Sequence, residues 1–251
     1  MVKSRGRDPF KMLLLFLSIL VTSGGAMKVV DSLTDGAMQI LEWSELDTEI
    51  RQCSCAEDKE CVKSMQEQIA QCSDLCWPVF SQIGRNITSR PEGLRRCISS
   101  KMMTLNNFIA CLSDNLDSCV RTSRTPQITE TDLHKLFALA EAAFNSTSAD
   151  MLNSELIADI RPLIDAAIQF GACVKKCFVE EKNGDGFCYN KKGCQPLITQ
   201  DNLRTALRSC LVKINWKQNI VDLCQCAQNV GIRFQSKGIC YLVSALKALQ
   251  G

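Results

Sequence analysis

The chain is 251 residues long, 46% hydrophobic, 6% aromatic and 22% charged, with a formal net charge of +2. Near neutrality removes the electrostatic case for nucleic acid, whose binders carry dense basic surfaces. Sixteen cysteines argue against a reducing compartment, where structural disulfides do not persist.

Four basic residues, Lys3, Arg5, Arg7 and Lys11, precede the apolar run Met12–Val21 and the small residues Thr22-Ser23-Gly24-Gly25-Ala26. This is the layout of an export signal, and Gly24 and Ala26 satisfy the small-x-small rule for cleavage after Ala26. The competing reading is a membrane anchor. A helix over Met12–Val21 would reach only ~15 Å, about half the hydrocarbon core of a bilayer, so residues 1–26 are assigned to a signal peptide. Cleavage removes the four basic residues together with Asp8, which takes the net charge from +2 to about −1. No later stretch approaches the ~18 uninterrupted apolar residues of a membrane span. What remains is longer than the ~100–150 residues usual for one domain, and two domains are expected.

The cysteines fall into two sets of eight: Cys53, Cys55, Cys61, Cys72, Cys76, Cys97, Cys111 and Cys119, then Cys173, Cys177, Cys188, Cys194, Cys210, Cys224, Cys226 and Cys240. An even number in each half of an exported chain reads as a disulfide framework. The halves also resemble each other. Cys72-x3-Cys76 aligns with Cys173-x3-Cys177, and Leu94-Arg95-Arg96-Cys97 with Leu207-Arg208-Ser209-Cys210. Cys97 precedes Cys111, and Cys210 precedes Cys224, by the same fourteen positions. Diverged duplicates are expected: a first eight-cysteine domain over 48–122, a connecting segment over 123–150 and a second eight-cysteine domain over 151–250.

In chain order, the first element after the signal is a helix over 57–83. Cys61, Met65, Ile69, Cys72, Cys76, Val79, Phe80 and Ile83 recur at the three-and-four spacing of one helix face. Pro78 should kink or end it near Trp77. Gly84 to Arg90 reads as a polar turn carrying the N-glycosylation sequon Asn86-Ile87-Thr88. A second helix runs over 91–116, with Pro91 at its first turn and Glu92 at the positive end of its dipole. Two antiparallel helices stapled by Cys76–Cys97 beside the turn and by Cys61–Cys111 at the far end satisfy these spacings, among on the order of 100 possible pairings.

Residues 123–128 are mostly polar. A helix follows over 131–144, with Thr131 as N-cap, and then the second sequon, Asn145-Ser146-Thr147, in a loop. A longer helix over 151–170 should bend at Pro162. The insertion Lys182–Cys194, rich in glycine and asparagine, reads as a turn or small hairpin, and 239–249 as a last helix. The expected fold is mainly α, two disulfide-stapled helical-hairpin or bundle domains, with a β-hairpin or turn in the second. Each half alone has a marginal apolar core, so the bridges are expected to hold it.

Catalytic chemistry finds little purchase. The only histidine, His134, lies outside both cysteine sets with no nucleophile motif beside it, which argues against triad hydrolases and His-ligated zinc enzymes. Cys53-x-Cys55 and Cys224-x-Cys226 read as half-cystines rather than metal ligands. Asn183-Gly184-Asp185-Gly186 lacks the ligand pattern of a calcium loop and reads as a turn. Asp58 and Glu60 read as solvated surface. No cofactor, metal or catalytic residue is expected. Arg85, Arg90, Arg95, Arg96 and Lys101 cluster about the first turn and are candidate polyanion contacts, against the plainer reading of a solvated basic face.

The Cys53-Ser54-Cys55 opening, Cys72-x3-Cys76-Trp77 and the Leu94-Arg95-Arg96-Cys97 string resemble the nematode secreted domain named after chondroitin proteoglycan 4. The likeness covers residues 53–119 well and the second half loosely. It implies an extracellular, matrix- or eggshell-associated, non-enzymatic protein. One feature departs from that family: the only Ser-Gly pair is Ser23-Gly24, inside the signal, so the mature chain lacks a glycosaminoglycan attachment site. The expectation is a secreted binding or structural module whose partner is an extracellular protein or polysaccharide, not nucleic acid or membrane. The alternatives are a secreted inhibitor or effector, and a carrier of small apolar ligands.

Overall fold

The computed structural model describes residues 23–122, 125–152, 161–214, 216–232 and 240. Residues 1–22 of the expected signal and all but Cys240 of the expected last helix lie outside them. The described chain is mainly helical. In order, its elements are α1 (Ser23–Trp43), β1 (Glu45–Gln52), α2 (Cys55–Ile87), α3 (Pro91–Asn115), β2 (Gln127–Thr131), α4 (Leu133–Leu152), α5 (Arg161–Lys175), α6 (Cys188–Lys192), β3 (Cys194–Gln195), α7 (Gln200–Leu211) and α8 (Trp216–Asn229). A π-helical stretch, Lys176–Lys182, prolongs α5.

The longest helix, α2, starts at a capping box. Ser54 Oγ accepts from the Glu57 N–H at 3.4 Å, and the Glu57 carboxylate accepts from the Ser54 N–H at 3.0 Å, so two otherwise orphaned donors are satisfied. Pro78 neither ends nor replaces this helix, which continues to Ile87. Bridges from Cys72 and Cys76, six and two residues earlier, and the buried Phe80 ring pin the segment to its neighbour. That packing outweighs the one hydrogen bond proline removes. The expected polar turn therefore shrinks to Thr88–Arg90. Thr88 caps α2 through its N–H on the Gly84 carbonyl, and its hydroxyl donates to the Val230 carbonyl. Helix α3 then begins with Pro91. At Gly93 the backbone runs so close to Val230 that a Cβ would lie 2.6 Å from its Cγ1.

Other boundaries shift for local reasons. Helix α4 starts at Leu133, because Asp132 rather than Thr131 caps it, its Oδ1 accepting from the Lys135 N–H at 3.1 Å. Thr131 ends a strand instead. The helix runs to Leu152, so Asn145 sits on α4 and not in a loop. Pro162 is the second residue of α5 as described, and residues 153–160, through which the expected helix would enter its bend, lie outside the described residues. The expected hairpin over 182–194 is a turn at 183–185, the short helix α6 and the strand β3. Gly193 closes α6 with φ 61°, a left-handed conformation that suits glycine.

A small sheet of order β2-β1-β3 was not expected. Strand β1 pairs antiparallel with β2 through Ile50–Ile128 and Arg51–Gln127, and parallel with β3 through Arg51–Cys194 and Gln52–Gln195. The segment after Cys119 is thus not a free connector, since β2 is built onto the first half.

All sixteen cysteines are paired: Cys53–Cys194, Cys55–Cys119, Cys61–Cys188, Cys72–Cys177, Cys76–Cys173, Cys97–Cys226, Cys111–Cys210 and Cys224–Cys240. Six of the eight bridges join the first set to the second. The staples inferred from helix spacing are therefore corrected. Cys76 takes Cys173, not Cys97, and Cys61 takes Cys188, not Cys111. The reason is packing: α2 lies antiparallel on α5, so its cysteine-bearing face meets the second half of the chain. The aligned motifs do find each other, Cys72-x3-Cys76 crossing reciprocally with Cys173-x3-Cys177. Cys111–Cys210 is mirrored, two residues out of register, by Cys97–Cys226. The bridges thus join segments that match in sequence.

Helix α3 packs on α2, α7 and α8, and α1 on α4 and α7. Three apolar clusters form the interior. One gathers Phe80, Leu94, Leu163, Ala166, Ala227 and Val230; a second Cys53, Cys61, Tyr189 and Cys194; a third Cys72, Cys177, Phe178 and Phe187. Half-cystines are core members in each.

Candidate functional site

A cavity of about 240 Å³ opens among α1, α2, α4 and the segment from Phe187 to Ile198. Its wall is chiefly apolar, from Leu41, Val62, Met65, Leu133, Leu136, Phe137 and Phe187, with Asp58, Tyr189, Thr131 and Gln195 supplying polar atoms. Each helix contributes what its face dictates. Asp58, Val62 and Met65 lie at successive turns of α2; Leu133, Leu136 and Phe137 share one side of α4. The aromatic end is held by ring contacts: Phe137 stacks on Phe187 at 5.3 Å, and Phe178 meets both rings at 5.7 Å. The π-helical turn after α5 sets Phe178 there. The Asn183 amide fixes that turn, donating to the Phe178 carbonyl and to Gln68 Oε1 at 2.7 Å each.

Asp58 was expected on the surface. It is buried, 6% exposed, and accepts the Tyr189 hydroxyl at 2.7 Å. Burial raises its pKa above the usual carboxylate value, and the Tyr189 hydrogen bond opposes this. Burial, with Asp58 alongside, pushes the Tyr189 phenol well above its ordinary value. A signal for this was present in the sequence. Asp58 lies three residues before Cys61 and seven before Met65, on the apolar stripe of α2. Its neighbour Glu60 is exposed as expected and meets Lys192 Nζ at 2.7 Å. Gln195 is also buried; its amide accepts from the Thr131 N–H at 2.8 Å and donates to the Thr131 carbonyl at 2.7 Å. The polar edge of the cavity is thereby fixed to the end of β2.

Beside the cavity, the Arg51 guanidinium grips Glu57 with two bonds of 2.9 and 2.7 Å and donates to the Lys192 carbonyl at 2.9 Å. Arg51, and then the Ser54 hydroxyl and N–H, hold the Glu57 carboxyl at about 2, below its ordinary 4.5. A depressed carboxylate stabilises the fold above its unfolded pKa, and that contribution fades as pH falls from about 4.5 towards 2. Glu57→Gln removes the charge of the Arg51 clamp and leaves an N3 side chain that can still complete the capping box. It is expected to cost ~1 kcal/mol at pH 7, with the gap from wild type closing near pH 2. Urea midpoints at the two pH values check this.

The candidate polyanion residues separate in the structure. Arg85, Arg90 and Arg96 are exposed. Arg90 and Arg96 flank a surface depression of about 600 Å³ at the start of α3, shared with Cys226, Asn229 and Val230. Arg95 is engaged, with Asp74 at 3.4 Å and the Trp77 ring beneath its guanidinium at 5.2 Å. The side chain of Lys101 lies outside the described residues. Asn86 and Asn145 are exposed.

His134 is exposed on α4, its ring 4.9 Å from Phe187. Both Cys-x-Cys pairs are spent on disulfides. Among the described residues no group of three His, Cys, Asp or Glu side chains converges to hold a metal ion, and no helix is long and apolar enough to cross a membrane. No protein-family model, curated protein or solved structure matches this chain.

Proposed function

We propose that this protein is a secreted, non-enzymatic binding module of the extracellular space. The observation that carries the reading is the framework itself: every cysteine is bridged, and six bridges lock one half of the chain to the other. Such a scaffold persists in an oxidising compartment and keeps surface groups rigidly placed. The export signal in residues 1–26 and two exposed sequon asparagines agree with it. So does the likeness of residues 53–119 to the chondroitin proteoglycan 4 type of domain, here in the role of a matrix component without its own glycosaminoglycan chain.

The partner surface is the arginine face at the start of α3, and its ligand a sulfated polysaccharide. Arg96 lines the depression with no partner among the described residues, and Arg90, which donates through one Nη to the Asn229 carbonyl at 3.3 Å, keeps its remaining N–H groups for a ligand; Arg95 is already occupied. The oxidised, glycosylated protein is expected to be retained on heparin or chondroitin sulfate at low salt. Arg90→Ala with Arg96→Ala should weaken retention on the order of tenfold, as loss of one or two charge-assisted contacts implies. Failure of the wild type to bind at low salt would remove the polysaccharide from the proposal.

A second reading, a carrier of small apolar ligands, is favoured by the cavity beneath α4. Organic extraction of the purified native protein, followed by mass spectrometry, tests it. The inhibitor reading loses its best feature. An exposed extended loop over Asp185–Gly193 would favour that reading, and the segment is instead a turn followed by the helix α6.

A further inference from the structure

We infer that the cavity bounded by α1, α2 and α4 binds a small primary amine with an apolar body, its ammonium group held by the carboxylate of Asp58. This rests on the carrier reading and adds the chemical class of the cargo. Three observations converge on it. The walls are chiefly apolar and include the rings of Phe137, Phe187 and Tyr189. Asp58 and Tyr189 are the titratable groups in the lining, and the lining holds no cation. Asp58 is nine-tenths buried, and only one of its carboxyl oxygens is occupied, by Tyr189; the other has no hydrogen-bond partner among the described residues.

A buried carboxylate without a counter-charge is costly, and a cation that enters with its own apolar body offsets that cost. Burial already raises the pKa of Asp58, the direction expected of a carboxyl that lacks its cation. The aromatic faces add a cation–π attraction that a neutral head group would not gain. Size narrows the choice. A cavity of ~150 Å³ suffices for benzene, and common drug-sized pockets begin near ~300 Å³. About 240 Å³ therefore suits one ring with a short amine chain and excludes a lipid.

The test compares 2-phenylethylamine with neutral 2-phenylethanol on the oxidised full-length secreted protein, by titration calorimetry and ligand-detected NMR. The amine is expected to bind on the order of tenfold tighter or more, as a charge-assisted contact in a desolvated site implies. Asp58→Asn keeps the volume and a partner for the Tyr189 hydroxyl; it should abolish that preference and leave the alcohol nearly unchanged. Val62→Phe, which fills the space, should lose both probes. Equal binding of the two probes by the wild type would overturn the amine assignment while leaving the carrier reading in place. Binding of neither would overturn both. The comparison of probes on the wild type requires no variant to fold.

Discussion

Cutting the chain between its two cysteine sets will leave one covalent particle. A protease site introduced between Thr122 and Thr125, cleaved after folding and oxidation, divides the protein into a fragment with the first eight cysteines and one with the second. Within the fragments lie only Cys55–Cys119 and Cys224–Cys240. The other six bridges cross the cut, closing loops whose ends are 97 to 141 residues apart. In denaturant without reductant the fragments should migrate and weigh as one; with reductant they should separate. Separation without reductant would mean that each half closes its own framework, and the crossed pairing would fall. The energetics give a companion result. Taken singly, a bridge over ~100 residues lowers the entropy of the unfolded chain by the equivalent of ~4–5 kcal/mol in the chain-entropy model. The loops are nested, so the values do not add. Even two exceed a large part of the ~5–15 kcal/mol that a folded domain retains. Full reduction is therefore expected to unfold the whole protein in one step, seen as loss of near-ultraviolet and far-ultraviolet circular dichroism together.

The helices were legible because their signals are local. The stripe from Cys61 to Ile83 foretold α2, and Pro91 with Glu92 foretold the start of α3. Pairing was not legible, since spacing along one helix says where a cysteine points and nothing about which helix lies opposite. The internal repeat came closer to the answer than the spacing did. Two Cys-x3-Cys segments that match in sequence turned out to face each other, and that possibility was open as soon as the match was seen. Strand β1, Glu45–Gln52, was missed because its exposure leaves it with few apolar residues, and its stability comes from β2 and β3, neither of which reads as a strand alone. Pro78 does not end α2, because proline speaks for its own turn only while the bridges at Cys72 and Cys76 hold the helix on α5. At the cavity, Leu133, Leu136 and Phe137 are apolar residues at the three-and-four spacing of one helix face. Asp58 was assigned to solvent by its residue type, although its position three residues before Cys61 placed it on the buried stripe.

Phe80→Ala and Phe187→Ala should each lower the melting temperature of the oxidised protein on the order of 10 °C, and both should move the same transition. Phe80 is 1% exposed and lies against Trp77 at 4.8 Å and Phe170 at 5.8 Å. Phe187 is fully buried in a different cluster, with Phe137 and Phe178. Removing a buried phenylalanine costs ~3–5 kcal/mol, and a domain of this length loses ~2–4 °C per kcal/mol. The clusters share no side chain, so the two costs should add to within ~0.5 kcal/mol in the double variant. Their transitions are nonetheless expected to be one, because α2 runs through all three clusters. Its Cys61 belongs to one, Cys72 to the next and Phe80 to the last. A helix of 33 residues cannot come apart at one end of that row while its bridges hold the other in register on α5. Differential scanning calorimetry decides the matter. Two resolved transitions, one moved by Phe80→Ala and the other by Phe187→Ala, would show independent units despite the crossed bridges. A single transition displaced by either change makes α2 the element through which both halves of the chain fold as one.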